Sequence, residues 1–296
     1  MLPNFLIIGA QKSGTTALYW YIRQHPDVFM PERKEPNHFS FARPPAFSGP
    51  GAANRAVTDR AEYEALFEPG AGRKALGEAS TSYLYTPGTA ERIERELPGA
   101  RLMAILRHPA DRAFSAYLQM KRDGREPARD FAEALALEPQ RLSDNWAYGW
   151  RYRDFGYYGA QLARYYERFP RDRIRVYLHE DLRRDPIGVA RDAFAFLGVD
   201  PSFTPDTSVE PNIGGIPRTG IVGKIIGFRS PLRPVVRMLP RAVRERLKDF
   251  GARRTLERPR IDPELRAQLT RDYADDIRRL QALIGRDLSH WLSGGA

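Results

Sequence analysis

The chain has 296 residues, is 42% hydrophobic and 11% aromatic, and carries a formal net charge of +10 without a single cysteine. Its length and composition are typical of a globular protein with a core of its own, and we expect one domain over residues 1–296. The missing cysteines exclude disulfides, thiolate metal sites and a thiol nucleophile, and five histidines without ligand-like spacing argue against a metal mechanism.

Short apolar segments alternate with segments of helical periodicity along the chain. Strands are predicted at about 4–8, 74–77, 101–106 and 173–178, and helices at 14–24, 59–67, 109–122, 157–168, 187–197 and 262–283. The alternation predicts an α/β protein, a P-loop-like three-layer fold with a central parallel sheet flanked by helices, in which ligands bind beyond the carboxyl ends of the strands. Residues 42–58 and 200–220 are rich in Pro and Gly and are predicted to be surface loops, the first of them mobile.

The first predicted strand runs into the sequence GAQKSGTTAL, which has the glycine spacing of a phosphate-binding loop. In the NTPase pattern G-x-x-x-x-G-K-[ST] the lysine follows the second glycine, whereas here Lys12 lies between Gly9 and Gly14. Backbone N–H groups at the start of the next helix, with the hydroxyls of Thr15 and Thr16, would bind an anion beside Lys12. The alternative is an ordinary strand-to-helix turn. The displaced lysine argues against a magnesium-dependent NTPase.

A second motif, LRHPADRAFSAY, follows the predicted strand at 101–106. Arg107 ends the apolar run, a proline opens the next helix, and Ser115 lies two turns into it. A guanidinium group can bind two phosphate oxygens and a serine hydroxyl can bind a third. Alone, Arg107 is equally well explained as a surface ion-pair partner. Together with the phosphate loop, it indicates a ligand with two separated phosphate groups.

The positive charge is concentrated in one segment. Residues 218–260 hold 13 Lys/Arg and 3 Asp/Glu, a difference equal to the whole net charge of +10. The segment is either a solvated basic face or a contact for an anionic partner, such as an acidic acceptor or a membrane surface. No nucleic-acid-binding motif accompanies it, so we expect no nucleic acid partner. Because no membrane span or leader is visible, we expect a cytoplasmic protein that is at most peripheral to a membrane.

The two motifs, in this order, resemble those of the PAPS-dependent sulfotransferase family, in the branch of the heparan sulfate sulfotransferase domains and their bacterial relatives. The resemblance extends over nearly the whole chain, through ERKEPNHF, FGYYGAQLARYYERFPRDRIRVYLHEDL and GRDLSHWL. It implies an enzyme that moves a sulfuryl group from 3′-phosphoadenosine 5′-phosphosulfate (PAPS) to a hydroxyl or amine by in-line displacement, releasing 3′,5′-ADP and using no metal. The implied acceptor is a carbohydrate, a lipid or a small metabolite.

The same resemblance implies roles for particular residues. Lys12 would stabilise the charge that develops on the bridging oxygen as the S–O bond breaks, so its displaced position suits a sulfuryl donor. The 5′-phosphate would be held by the residues around the helix start, which are Ser13, Gly14, Thr15 and Thr16. The 3′-phosphate would be held by Arg107 and Ser115, with Arg218 as a second contact.

Glu35, in KEPNHF, matches the glutamate that serves as catalytic base in the heparan sulfate branch. Its alternative interpretation is a surface carboxylate paired with Lys34. His38 is the rival base, because another sulfotransferase branch uses histidine.

The chain also departs from the heparan sulfate pattern. In GEASTSYLY, Ala79 stands where that branch has a lysine. The cysteine-bearing loop that contacts the nucleotide in that branch is also missing here. In its place, Arg218 in NIGGIPRTG is the candidate second contact for the 3′-phosphate. Residues 146–158 are rich in aromatic side chains, which either stack on an acceptor or pack into the core. Two other functions remain open on the sequence: an ATP-dependent P-loop kinase of a small molecule, and a non-enzymatic protein that binds polyanions or membranes.

Overall fold

The computed structural model describes residues 1–52, 56–208 and 259–293, together with the backbone of two short antiparallel strands at Ile216–Pro217 and Leu256–Glu257. The predicted nucleotide contact Arg218 lies outside the described residues, as does nearly all of the basic segment 218–260. The interpretations that depend on them stay predictions.

A five-stranded parallel sheet forms the centre of the protein. Its strands are β1 (Phe5–Gly9), β2 (Val28–Phe29), β3 (Ala75–Ala79), β4 (Arg101–Leu106) and β5 (Ile174–Leu178), in the order β2-β3-β1-β4-β5. Four of them were predicted from apolar runs. The fifth, β2, is two residues long, which is too short to produce a periodic pattern.

Helices connect the strands and cover the sheet. They are α1 (Thr15–Arg23), α2 (Arg60–Ala65), α3 (Ser82–Tyr85), α4 (Thr89–Glu96), α5 (Pro109–Arg122), α6 (Phe131–Ala136), α7 (Glu138–Ser143), α8 (Tyr158–Tyr166), α9 (His179–Arg184), α10 (Pro186–Leu197), α11 (Pro263–Ile284) and α12 (Ser289–Leu292). All six predicted helices are present, and their ends agree with the prediction to within two residues. Among the described residues, none of the helices combines the length and the apolar character needed to cross a bilayer.

Alternate residues of β1 point into two separate hydrophobic layers. Leu6 and Ile8 belong to the layer that contains residues of α4, α5, α8 and α11, whereas Phe5 and Ile7 belong to the layer that contains residues of α1 and α10. All five residues of β1 are buried, as expected for a central strand covered on both faces. The predicted three-layer α/β fold is therefore confirmed.

The connection between β2 and α2 contains no regular strand over its described residues 42–52 and 56–58, as predicted for a surface loop. Ser48 nevertheless pairs with the chain at Trp146, because its N–H donates to the Asn145 carbonyl oxygen (3.0 Å) and its carbonyl oxygen accepts from Ala147 N–H (3.1 Å). This pairing places the loop against the aromatic segment 146–158.

Candidate active site

The phosphate-loop candidate leaves β1 between its two neighbours in the sheet. Ala10 N–H donates to the carbonyl oxygen of Ile105 in β4 (2.8 Å), and Lys12 adopts a left-handed conformation with φ of 65°. Gly14 has φ of 111°, and a Cβ there would lie 3.2 Å from both Ile105 Cδ1 and His179 Nδ1. Glycine is therefore required at position 14 by its conformation and by its close neighbours.

The loop ends at α1, whose first turn contains no acidic residue. Gly14 is the N-cap, Thr15 is buried and Thr16 is partly buried. The free N–H groups and the positive end of the helix dipole make this terminus suitable for an anion. Ser13 is completely buried, and its carbonyl oxygen accepts a hydrogen bond from His179 Nδ1 (3.0 Å).

Lys12 lies among cations. Burial lowers the pKa of Lys12 to about 8, and the guanidinium groups of Arg122, Arg107 and Arg112 act in the same direction, opposed by Asp123. No carboxylate of the described residues forms an ion pair with Lys12. The ammonium group is thus held in a positive, partly dehydrated environment that an anion would relieve.

Arg107 follows the last residue of β4 and is also largely buried, which lowers the pKa of Arg107. The nearby carboxylate, Asp111, accepts from Arg266 Nε (2.9 Å) and Nη2 (3.3 Å), so its charge is already balanced. Ser115 lies on α5, as predicted, and is partly exposed. Arg107 and Lys12 therefore provide two cations at adjacent strand ends without a carboxylate partner among the described residues.

Glu35 reaches the same edge of the sheet from the β3 side. Its N–H donates to the Ala79 carbonyl oxygen (3.0 Å), and its Oε1 accepts from Thr81 Oγ1 (3.2 Å) and Lys34 Nζ (3.3 Å). The side chain is 44% exposed, so the carboxylate is accessible to an acceptor. The predicted pairing with Lys34 does form, although an exposed ion pair of this kind contributes little stability.

His38 is the predicted rival base. Its Nδ1 lies 2.7 Å from the Val57 carbonyl oxygen and donates to it, and its ring stacks on Tyr63 with a centroid distance of 4.1 Å and an interplanar angle of 6°. These contacts fix the imidazole against α2.

The carboxyl ends of four neighbouring strands thus meet at one edge. Ser80 N–H donates to the Ile7 carbonyl oxygen (3.1 Å), which joins the end of β3 to β1, while the Ala10 and His179 contacts join β1 to β4 and β5. The structure brings together Glu35, the loop 10–14, Arg107 and His179 at this edge. It is the position at which open parallel sheets bind ligands.

The comparisons with known proteins agree with this geometry. Residues 3–205 match the sequence profile described as "Sulfotransferase family". The chain belongs to the sulfotransferase family. The fold is shared with a solved sulfotransferase from Alicyclobacillus acidocaldarius, at a TM-score of 0.79 and 38% identity, covering 98% of this chain and 99% of that one. The family and the enzyme class predicted from the sequence are thereby confirmed.

Two curated relatives are much longer proteins. The bifunctional heparan sulfate N-deacetylase/N-sulfotransferase 3 of Homo sapiens is 29% identical over 68% of this chain, and the membrane-associated sulfotransferase kil1 of Dictyostelium discoideum is 33% identical over 39% of it. The aligned parts amount to 23% and 22% of those proteins. The sulfotransferase chain therefore spans less than a quarter of the length of either relative.

Three residues near the candidate site have no role predicted from the sequence, namely His179, Arg112 and Arg122. His179 directly follows β5, and its only signal in the sequence is that position at a predicted strand end. Arg112 and Arg122 lie on α5, and Arg112 is completely buried, with Nε and Nη1 lacking a hydrogen-bond partner among the described residues. Their contribution is electrostatic and acts through space, which no local pattern reveals.

The aromatic segment 146–158 divides into core and surface. Trp150, Tyr152, Phe155 and Tyr158 are at most 2% exposed and pack the core. Trp146, Tyr148 and Tyr157 are partly exposed, so only these three could contact an acceptor.

Ala79, which replaces a lysine of the heparan sulfate branch, is completely buried. Among the described residues, Lys34 is the cation that pairs with the Glu35 carboxylate, at 3.3 Å.

Proposed function

We propose that this sulfotransferase moves the sulfuryl group of PAPS to a hydroxyl or amine of a carbohydrate, lipid or small-metabolite acceptor. The observation that carries the proposal is the placement of Lys12 and Arg107, two largely buried cations without carboxylate partners among the described residues, beside the N-terminus of α1. A nucleotide with separate 3′ and 5′ groups supplies anions for both positions.

PAPS brings an activated sulfuryl group on its 5′-phosphate, and the protein has to orient it and stabilise charge. The start of α1, with Ser13, Gly14, Thr15 and Thr16, would hold the 5′-phosphate through N–H groups and hydroxyls. Because its pKa is about 8, Lys12 is mostly protonated at pH 7 and can donate to the oxygen that becomes negative in the transition state. Preorganised donors of this kind supply much of the rate enhancement in group transfer.

Arg107 and Ser115 would hold the 3′-phosphate, with Arg218 as a further contact that stays a prediction. A planar guanidinium group can bind two phosphate oxygens, and desolvation strengthens such charge-assisted hydrogen bonds. Arg112 and Arg122 add positive potential behind Lys12 and favour a multiply charged nucleotide over a singly charged one.

Glu35 would take the proton of the acceptor. Its carboxylate is exposed, and the Thr81 hydroxyl and Lys34 both contact Oε1, which leaves Oε2 free of hydrogen bonds to the described residues. His38 remains the alternative base, since the nitrogen opposite its hydrogen-bonded Nδ1 has a lone pair.

The basic segment 218–260 would favour an anionic acceptor or a membrane surface near the site. The name of the Homo sapiens relative mentions heparan sulfate and that of the Dictyostelium relative mentions a membrane, and both suit such a partner. A cytoplasmic location, at most peripheral to a membrane, and a single domain over 1–296 belong to the same proposal.

The test compares the three functions that the sequence left open. Thermal unfolding would be followed with 3′,5′-ADP, 5′-AMP, ATP with Mg²⁺, and heparin, because a ligand at 100 times its Kd stabilises by about 2.7 kcal/mol. Preferential stabilisation by 3′,5′-ADP supports the proposal, whereas preference for ATP with Mg²⁺ favours a kinase. Stabilisation by heparin alone favours a non-enzymatic polyanion-binding protein.

Transfer itself is measured with sulfur-labelled PAPS over an acceptor panel of glycans, lipids and phenolic or amine metabolites. Label incorporation that depends on Lys12 would identify the acceptor class. Binding of 3′,5′-ADP without transfer to any class, and without slow hydrolysis of PAPS, would contradict the catalytic proposal.

A further inference from the structure

The described part of the protein contains a buried carboxylate that the proposed mechanism does not use. Glu78, the fourth residue of β3, is 1% exposed, and no described cation pairs with it. Its Oε2 accepts from Ser80 Oγ (2.8 Å) and its Oε1 from the Tyr63 hydroxyl (3.3 Å). The Tyr83 hydroxyl is a further hydrogen-bond partner. A buried carboxylate satisfied by hydroxyl groups instead of a cation is costly, so its presence calls for an explanation.

Two of these hydroxyls also contact the backbone that follows Glu35. Asn37 N–H donates to Ser80 Oγ (3.0 Å), and Phe39 N–H donates to the Tyr83 hydroxyl oxygen (3.4 Å). A hydroxyl has one proton, and because each gives that proton to Glu78, its lone pairs face the incoming N–H. The ionised carboxylate thus orients both hydroxyl protons toward itself and leaves the hydroxyl oxygens free to accept from the two amides.

The third hydroxyl belongs to Tyr63, whose ring stacks on His38 at 4.1 Å. The three partners of one carboxylate therefore contact three consecutive residues, 37, 38 and 39. This is a connected polar network, whose members depend on one another more than isolated pairs do.

The segment that the network holds has an unfavourable backbone. Glu35 has φ of 59° and Asn37 has φ of 56°, both in the left-handed region, and Asn37 Nδ2 donates to the Glu35 carbonyl oxygen (2.8 Å). A non-glycine residue in this region persists only where its surroundings determine it. The Ser80 hydrogen bond is made to Asn37 itself and the Tyr83 hydrogen bond to Phe39, two residues later, and together they supply that constraint.

We propose that Glu78 is a positioning residue that, through Ser80, Tyr83 and Tyr63, fixes the backbone carrying Glu35 in its reactive orientation. The inference rests on the proposed role of Glu35 as base.

The network also has a pH dependence. Burial raises the pKa of Glu78 to about 7, and the charge of Glu35 acts in the same direction, whereas the hydrogen bonds from Tyr83, Ser80 and Tyr63 oppose it. Among the described residues, these four groups have the largest effect on the pKa of Glu78. When Glu78 is protonated, one of its oxygens becomes a donor, so the hydroxyl facing that oxygen must give its own proton to another acceptor, which disturbs its hydrogen bond to Asn37 or Phe39. Turnover should therefore fall as the pH decreases through about 7.

The test uses E78Q, because the glutamine amide has the same shape but presents an NH₂ group to one hydroxyl. E138Q is the matched control, since Glu138 is 3% exposed and accepts from the Arg153 and Asp154 N–H groups away from this network. E78Q should lower kcat by about 10- to 100-fold, less than a lost general base, with unchanged 3′,5′-ADP affinity and no fall in turnover near pH 7. E138Q should keep the wild-type kcat and its pH profile.

A double-mutant cycle shows whether Glu78 affects kcat through Glu35 or independently of it. If Glu78 acts through Glu35, the variant E35Q/E78Q should be no slower than E35Q alone. Multiplied losses, or a wild-type kcat for E78Q, would overturn the proposal. Should E78Q fail to fold, Y83F removes one hydroxyl and enters the same cycle.

Amide hydrogen exchange measures how firmly residues 37–39 are held, independently of catalytic activity. E78Q should speed exchange at Asn37 and Phe39 and leave the loop 10–14 unchanged, and unchanged exchange at both amides would also overturn the proposal. If E35Q turns over normally, the proposed base is wrong, whereas the exchange result still decides whether Glu78 holds the segment.

Discussion

Replacing Lys12 with Met should stabilise the nucleotide-free protein while it slows catalysis. The ammonium group is largely buried beside three guanidinium groups and has no carboxylate partner among the described residues, so the folded state binds its proton less tightly than the unfolded state does. Methionine has a similar length and carries no charge to desolvate. The lysine is therefore expected to be retained for function at the expense of stability.

The magnitude follows from the pKa values. The pKa of Lys12 falls from 10.5 to about 8 on folding, and each pKa difference of one corresponds to about 1.4 kcal/mol. At pH 7, where Lys12 is protonated in both states, the charge costs about 3 kcal/mol of folding free energy. Between pH 8 and 10.5 the unfolded state binds more protons, so the stability of the wild type rises with pH. At pH 9.5 the advantage of methionine should have shrunk to about 1.4 kcal/mol.

The assay is urea unfolding of the wild type and K12M at pH 7 and 9.5, with and without 3′,5′-ADP. K74M is the control, because Lys74 is exposed and its replacement should change neither the stability nor its pH dependence. K12M should also lose more in kcat than in 3′,5′-ADP affinity, since a contact to the leaving oxygen is strongest in the transition state. A K12M protein that is no more stable than the wild type at pH 7, or whose advantage is the same at both pH values, would refute the reasoning.

Three further changes test other parts of the site and the core. Arg107→Ala should weaken 3′,5′-ADP binding by about 1.5–3 kcal/mol in calorimetry and barely change 5′-AMP binding; equal losses for both would contradict a 3′-phosphate contact. Glu35→Gln should lower kcat by about 10²–10⁴-fold, far more than His38→Ala, with nucleotide affinity retained; the reverse order would move the base to His38. Arg141→Met should destabilise the protein by about 3–5 kcal/mol in urea, because it leaves the Glu126 carboxylate buried without its partner, and it should leave nucleotide affinity unchanged.

The elements that carry the phosphate loop and Arg107 could be predicted because each combines a short apolar run with Gly or Pro at its end. Other elements lack such a signal: α4 has the sequence TAERIERE, and α9 has HEDLRR. Those helices are stabilised by packing against the rest of the protein. This tertiary stabilisation leaves no periodic pattern in the sequence from which it could be predicted. The displaced position of Lys12 is visible from its spacing, whereas its expected role comes only from the family resemblance.

The contribution of Glu78 could not be predicted, although it stands in the quoted stretch GEASTSYLY. Its burial depends on α2 and α3 packing over the end of β3, and its partners Ser80 and Tyr83 bind amides that lie 43 and 44 positions earlier in the chain. The same holds for His179, whose contact with Ser13 spans 166 positions.

The strand order places the proposed nucleotide contacts and the proposed catalytic base on opposite sides of the central strand β1. The proposed nucleotide contacts follow β1 and β4, whereas Glu35 and the network beneath it belong to β3 and the chain before it, on the opposite side of β1. In the proposed mechanism, contacts to the two reactants therefore come from different stretches of sequence, one on each side of β1. The proposal therefore predicts that the loop around residues 40–52 can be exchanged, with Glu35 retained, to admit a new acceptor while the recognition of the nucleotide stays intact.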